Sequence, residues 1–79
     1  MSEHYGVLKA IARCWLGESN VYRVLITMQN GDWCYVYIPA SNYKFRENDI
    51  VSWSDEGAFC WHSDRDVVRF DLLQAGVKI

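Results

Sequence analysis

Three aromatic residues alternate along a short stretch of the chain, in a pattern suited to binding. Trp33, Tyr35 and Tyr37 are separated by single residues, so on a β-strand their rings point to the same side. Rings spaced in this way can stack on unpaired nucleic-acid bases. They can equally belong to the hydrophobic core, with their polar atoms at its rim. The sequence leaves both roles open.

A second group, Tyr43 to Arg46, places two aromatic residues and two cations in four consecutive positions. Such a segment can hold phosphates and a base, or it can anchor a protein interface, where Tyr and Arg are enriched. The alternative is an ordinary solvated loop. Our predicted binding residues are Arg23, Trp33, Tyr35, Tyr37, Tyr43, Lys44, Phe45 and Arg46.

No pattern of residues indicates catalysis. His62, Ser63 and Asp64 are the residue types of a catalytic triad, but neighbours in sequence do not create triad geometry. The chain contains no G-x-S-x-G motif and no glycine-rich phosphate loop. We therefore predict that the protein is not an enzyme and needs no cofactor.

The cysteines and histidines offer a weak metal-site alternative. Cys60 and His62 share one side of a predicted strand, and Cys14, Cys34 or His4 could complete a tetrahedral zinc site. Their spacing matches no common zinc pattern, and three cysteines without a C-x-x-C pair do not suggest a disulfide framework. We predict free thiols in a reducing compartment and no bound metal.

Length and composition predict one small folded domain spanning residues 1–79. Hydrophobic residues make up 51% of the chain and aromatic residues 15%, which favours a compact fold over disorder. No apolar run approaches the length of about 20 residues that a membrane helix needs. The first residues lack the basic-then-apolar layout of a signal peptide. We expect a cytoplasmic protein without a membrane segment.

Charge is unevenly distributed along the chain. The net charge is −2, which argues against a dominant electrostatic footprint for nucleic acid. Residues 1–46 hold five cations and three anions, whereas residues 47–79 hold three cations and seven anions. Most of these charges are expected to solvate loops and edges, but the imbalance can also steer a charged partner.

Residues 21–40 have the pattern of one β-hairpin. Asn30-Gly31 predicts a two-residue type I′ turn between two β-branched and aromatic flanks. In the register that follows from this turn, the aromatic triplet shares one face of the hairpin with apolar residues of the first strand. The opposite face mixes polar and aliphatic residues. The first face holds Tyr22, Val24, Ile26, Met28, Trp33, Tyr35, Tyr37 and Pro39, and the second includes Arg23, Leu25, Thr27, Val36 and Ile38. If the triplet is core, the aliphatic residues of the second face mark the interaction site.

The remaining segments predict an all-β fold. Residues 4–16 fit either a strand with small inward residues or a helix, and residues 49–54 and 58–62 predict a second hairpin. The segment after residue 64 fits a strand or a short helix. We predict a small antiparallel barrel of about five strands, OB-like or SH3-like; the alternative is α+β, with a helix over residues 4–16 packed on an antiparallel sheet. The predicted core is Leu8, Val24, Ile26, Met28, Val36, Ile38, Val51, Trp53 and Phe59.

The segments YGVLKAI, YRVLITMQNGDWCYVYIP and FRENDIVSW follow one another in an order known from small barrels. Over residues 5–53 the layout resembles the small oligonucleotide-binding barrels of the initiation-factor-one and cold-shock type. Asn48 stands where those proteins have a glycine before the aspartate, and their paired aromatic RNA-stacking motif is absent. The resemblance therefore implies a barrel more than it implies nucleic-acid binding.

These observations favour a non-enzymatic protein-binding module, a small regulator, inhibitor or adaptor that covers a surface of a larger partner. By composition alone, a compact, acidic, aromatic-rich chain of this kind would suit a phage or mobile-element regulator. The alternative is a single-stranded nucleic-acid-binding small barrel. A homodimer, formed through the hairpin or an exposed sheet edge, is a further possibility.

Overall fold

The computed structural model describes residues 3–63 and 66–78, with residues 75–78 described by their backbone alone. These residues form seven β-strands and no helix: β1 (Glu3–Leu16), β2 (Ser19–Met28), β3 (Trp33–Pro39), β4 (Ile50–Ser54), β5 (Ala58–His62), β6 (Val67–Asp71) and β7 (Gln74–Lys78). The all-β prediction is confirmed. The alternative of a helix over residues 4–16 is wrong, because that segment is β1.

All seven strands belong to one antiparallel sheet, in the order β6-β5-β4-β1-β2-β3-β7. The strands β6 and β7 are at opposite ends of this order, although only Leu72 and Leu73 separate them. The amide of Leu72 donates to the carbonyl of Gly57, and that of Leu73 donates to the carbonyl of Tyr37, each at 2.9 Å. The sheet therefore curls until its two edges approach. Over the described residues, no ladder pairs β6 with β3 or β7.

The long central strand β1 contributes to both halves of the sheet. It pairs with β4 through Glu3–Val7 and with β2 almost throughout its length, and the register with β2 shifts between Leu8 and Ala10. Such a bulge bends the strand and changes which face a side chain occupies. The small residues of β1 therefore do not share one face as predicted, because Leu8 is buried on the core side of the sheet and Ala10 is exposed on the opposite side.

The predicted hairpin is confirmed, but its predicted turn is wrong. Met28 donates to the carbonyl of Asp32 at 2.8 Å, and Gly31 donates to Met28 at 3.0 Å, so the loop has three residues rather than two. Gly31 has a φ of 90°, whereas Asn30 is not in the positive-φ region. This is the turn in which a left-handed glycine forms a bulge after a type I turn.

The extra loop residue moves the register by one position. Val24 pairs with Val36 and Ile26 pairs with Cys34, and all four side chains are fully buried. A one-residue slip moves every side chain of one strand to the opposite face. The predicted pairing of the aromatic triplet with the buried face of β2 is therefore wrong. Between Tyr22 and Ile38 the hairpin alternates between a buried face and an outer face, whereas Val21, which pairs with Pro39, is also fully buried.

The core lies on the concave side of the curled sheet. The predicted core residues are buried, except that Met28 is only partly buried at its margin. Cys34 and Trp61 also belong to this core. The residues between β3 and β4 cover one end of it and bring in Phe45.

Polar contacts hold that covering segment in place. The Asp49 carboxylate accepts hydrogen bonds from the indole of Trp61 at 2.7 Å and from the Arg46 amide at 3.0 Å. Asn48 has a φ of 75°, and asparagine is among the few residues other than glycine that tolerate this conformation. The position where the resembling barrels have glycine thus requires a left-handed backbone here.

Candidate interaction surface

The side chains on the convex side of β1, β2 and β3 form a continuous surface, which we call the outer face. The strand pairing arranges these side chains in three rows that run across the sheet. The rows are Ala12–Arg23–Tyr37, Ala10–Leu25–Tyr35 and Val7–Thr27–Trp33. Because Val7 also pairs with Ile50 of β4, the last row crosses four strands.

The aromatic triplet of β3 lies on this outer face and not in the core. Trp33 is 44% exposed, and Tyr35 and Tyr37 are partly buried. Ala10 and Ala12 on β1 are exposed and too short to cover their neighbours on β2. The interpretation of the triplet as core is therefore wrong, because none of the three rings belongs to the buried core cluster.

Arg23 supplies a positive charge to the outer face from its middle strand, β2. Its guanidinium carbon lies 4.7 Å from the centre of the Tyr35 ring, a distance at which a cation is attracted to the face of the ring. Among the described residues no carboxylate forms a salt bridge with Arg23. The guanidinium can therefore bind an anionic group while it remains stacked on Tyr35.

An apolar groove adjoins the row that ends at Trp33. It has a volume of about 280 Å³ and is lined mainly by Tyr5, Val7, Thr27, Met28 and Ile50. Tyr5 and Ile50 are each 48% exposed. The charge of the nearby Glu3 carboxylate is the largest of the effects that raise the pKa of Tyr5 above its ordinary value. The groove extends the outer face beyond the hairpin.

The second predicted group does not join the outer face. The Phe45 ring packs 4.7 Å from the Trp61 ring and 5.6 Å from the Phe70 ring, and Tyr43 lies edge-on to Phe70 at 5.4 Å. These contacts make Phe45 part of the cover over the core. Lys44 and Arg46 have exposed side chains on the same segment. The predicted site thus divides into an outer face and a separate covering segment.

Sequence reasoning missed the contribution of Tyr5, Val7 and Ile50 to the surface. Their place on or beside the row that ends at Trp33 depends on β1 pairing with both β2 and β4, and no local pattern predicts the pairing of β1 with β4. The sequence did contain one usable signal for the register. A three-residue loop separates polar from apolar residues in the hairpin better than a two-residue loop does.

The residues considered for metal binding and catalysis do not come together in a metal site in the part of the chain that the structure describes. The ring of His62 lies 3.1 Å from the hydroxyl of Ser52, and Cys60 is partly buried on the same strand. The structure brings together no three His, Cys, Asp or Glu side chains able to hold a metal ion in the part of the chain it describes. Asp64, the acid of the considered triad, lies outside the described residues.

Comparison of this chain with protein-family models, curated proteins and solved structures gives no match. The resemblance to the initiation-factor-one and cold-shock barrels therefore remains a prediction. Within residues 3–63 and 66–78, no helix is long and apolar enough to cross a membrane.

Proposed function

We propose that this protein is a non-enzymatic protein-binding module, a small regulator, inhibitor or adaptor that covers a surface of a larger partner with its outer face. The observation that carries this proposal is the position of Arg23, Trp33, Tyr35 and Tyr37 together on the solvent side of the sheet. Trp, Tyr and Arg are the residues that contribute most to binding energy at protein interfaces.

The division of side chains between the two faces supports this proposal. The concave face holds a complete set of buried aliphatic and aromatic residues, so the outer aromatic residues are not needed to form the core. The adjoining groove adds further exposed apolar surface beside them, and contiguous surface of this kind is typical of interaction sites.

The finer features of the proposal concern architecture and location. The curled sheet acts as a small OB-like or SH3-like barrel, with the covering segment over one end. The protein works in the cytoplasm, where its three free cysteines stay reduced. Its role as a phage or mobile-element regulator rests on composition.

The proposal is tested by affinity capture from a lysate with matched bait variants. Trp33→Ser and Tyr35→Ser remove rings from the outer face, whereas Lys44→Ser changes an exposed residue of the covering segment. We expect the first two variants to lose the partner that the wild-type protein captures and the third to retain it. Equal capture by all four baits would show that the outer face is not the binding site.

A second candidate function, the binding of single-stranded nucleic acid, is favoured by the spacing of the aromatic rings. Alternate residues of a strand are about 7 Å apart, and exposed rings at such intervals form a stacking platform for successive bases. Tryptophan fluorescence titration with oligonucleotides at two salt concentrations tests this function. Binding through phosphates must weaken steeply with salt, and the absence of quenching at low salt would exclude it.

A further inference from the structure

We propose that the free edge of β1 over residues 10–16 is a strand-addition site for an extended, acidic segment of a partner protein. This inference rests on the proposed function, because it specifies how the partner of the outer face is held. Strand addition joins the main chain of a peptide to an exposed sheet edge, and the neighbouring side chains provide specificity.

The edge is open because β1 has two neighbours only over its first half. The backbone of β1 pairs with β4 through Glu3–Val7, and Leu8 then exchanges hydrogen bonds with Asn48 and Asp49, at 2.7 and 2.9 Å. After the bulge between Leu8 and Ala10, the strand pairs with β2 alone. Over the described segments, no other backbone hydrogen bond reaches residues 10–16.

The register of the β1–β2 hairpin shows which groups are available. Leu16 pairs with Ser19 across a two-residue turn, and the residues that flank such a turn form a hydrogen-bonded pair. Alternation along the ladder then directs the N–H and C=O groups of Ile11, Arg13 and Trp15 away from β2. This open segment is about 20 Å long, which is enough to pair with a full strand.

The edge lacks the protection that natural sheets usually give to such strands. Trp15 is 70% exposed, and a long apolar edge normally carries a charge that prevents pairing. Arg13 does not serve this purpose. Its guanidinium carbon lies 5.5 Å from the centre of the Tyr22 ring, and one of its nitrogens donates to the Tyr22 hydroxyl at 3.4 Å. The side chain is directed toward β2 and leaves the edge accessible.

Charge identifies the kind of segment that fits. The charged residues between Glu3 and Glu18 are the two cations Lys9 and Arg13. A second copy of the chain, paired antiparallel along the same edge, would bring like charges together, which is unfavourable. Lys9 donates to the Asn48 side chain and Arg13 to the Tyr22 hydroxyl, and each cation has further N–H groups with which it can bind the carboxylates of an acidic segment. We therefore assign the edge to an acidic partner and not to self-association.

The neighbouring side chains connect this edge to the outer face. On the convex side, the edge strand carries the small side chains of Ala10, Ala12 and Cys14. A strand added beside them can extend large side chains over the two alanines toward Leu25 and Arg23. The added segment and the aromatic triplet then border one continuous surface.

Nuclear magnetic resonance with a defined probe tests this inference. The probe is a capped seven-residue peptide of alternating valine and glutamate, added to the ¹⁵N-labelled full chain. We expect the amide signals of Ile11, Arg13 and Trp15 to shift and their hydrogen exchange to slow. The same peptide, N-methylated at alternate residues along its pairing edge, lacks the donors for a ladder and is expected not to bind.

A charge-reversed variant adds a readout of specificity. Arg13→Glu is expected to weaken binding of the acidic peptide about tenfold and to favour the same peptide with lysine in place of glutamate. Unchanged amide signals at millimolar peptide, or equal binding of the N-methylated peptide, would overturn the inference. Concentration-dependent shifts at this edge without peptide would indicate self-pairing and overturn it as well. Capture that depends on Tyr35 but not on Arg13 would overturn the edge site and leave the proposed function in place.

Discussion

At the scale of single residues, Gly6 shows how closely the central strands approach. A Cβ atom at this position would lie 2.3 Å from Cγ2 of Ile26 and 2.8 Å from the carbonyl oxygen of Thr27, both inside normal contact distance. We expect Gly6→Ala to lower the free energy of unfolding by about 1–3 kcal/mol, because the core must shift to accept the methyl group. Urea denaturation measures this change.

The control for Gly6→Ala is Ala12→Ser, which also adds one heavy atom to β1 but at an exposed position. It should change the free energy of unfolding by no more than about 0.5 kcal/mol. Equal stability of both variants and the wild-type protein would contradict the close strand packing at Gly6.

Cys34 makes stability depend on pH in the alkaline range. Burial raises the pKa of this thiol above its ordinary value of 9.0, and the negative charge of Asp32 raises it further. The unfolded chain therefore releases the thiol proton at a lower pH than the folded chain does. Stability from this group is complete below pH 9.0 and decreases as the pH rises above it.

Denaturation of the wild-type protein and Cys34→Ala at about pH 8 and about pH 10 tests this dependence. The variant leaves a small cavity and is less stable at both values, but its loss of stability between them should be smaller than that of the wild-type protein. An identical loss in the two proteins would show that the Cys34 thiol does not ionise differently on unfolding.

At the scale of elements, the covering segment between β3 and β4 contributes to the fold through Phe45. Its ring contacts the rings of Trp61, Phe70 and Tyr22. We expect Phe45→Ala to destabilise the protein by about 3–5 kcal/mol if the space left by the ring stays open. The loss is smaller if the covering segment collapses into that space. Lys44→Ala changes the adjacent exposed residue and should have little effect. Thermal unfolding followed by circular dichroism compares the two variants.

The strands could be predicted from local patterns, whereas the register of the hairpin depended on a choice between two turns that local patterns left open. The predicted segments at residues 49–54 and 58–62 match β4 and β5 closely, because alternation and turn residues are local signals. Asn30-Gly31 suits both a two-residue type I′ turn and the observed three-residue turn, since either can place Gly31 at positive φ. The choice between these turns depends on which side chains the rest of the sheet buries.

At the scale of the whole molecule, the order of strands could not be predicted from the sequence. The pairing of β1 with β4 and of β3 with β7 joins segments that are far apart in the chain, and it depends on how the entire sheet curls. The prediction of about five strands was too low, because the final segment divides into β6 and β7. The groove lined by Tyr5 and Ile50, which extends the candidate surface, follows from the pairing of β1 with β4.

The curled sheet divides its side chains into two sets, since the concave face forms the core and the outer face is open to solvent. Tyr35 and Val36 are neighbours in sequence but lie on opposite faces, with Tyr35 stacked under Arg23 and Val36 fully buried. We expect Val36→Thr to lower the free energy of unfolding by about 1–3 kcal/mol, because it buries a hydroxyl at a site formed for an apolar side chain, without a compensating hydrogen bond. Tyr35→Thr, which places a β-branched residue with high strand propensity at a partly buried site outside the core, should change it by no more than about 1 kcal/mol.

Binding should show the opposite order, because Tyr35→Thr removes a ring from the outer face while Val36→Thr leaves that face intact. Denaturant unfolding and partner capture, measured on the same two proteins, compare the effects directly. If Tyr35→Thr were the more destabilising variant, the hairpin would have the register of a two-residue turn. The aromatic triplet would then belong to the core, and the outer face proposed for binding would not exist.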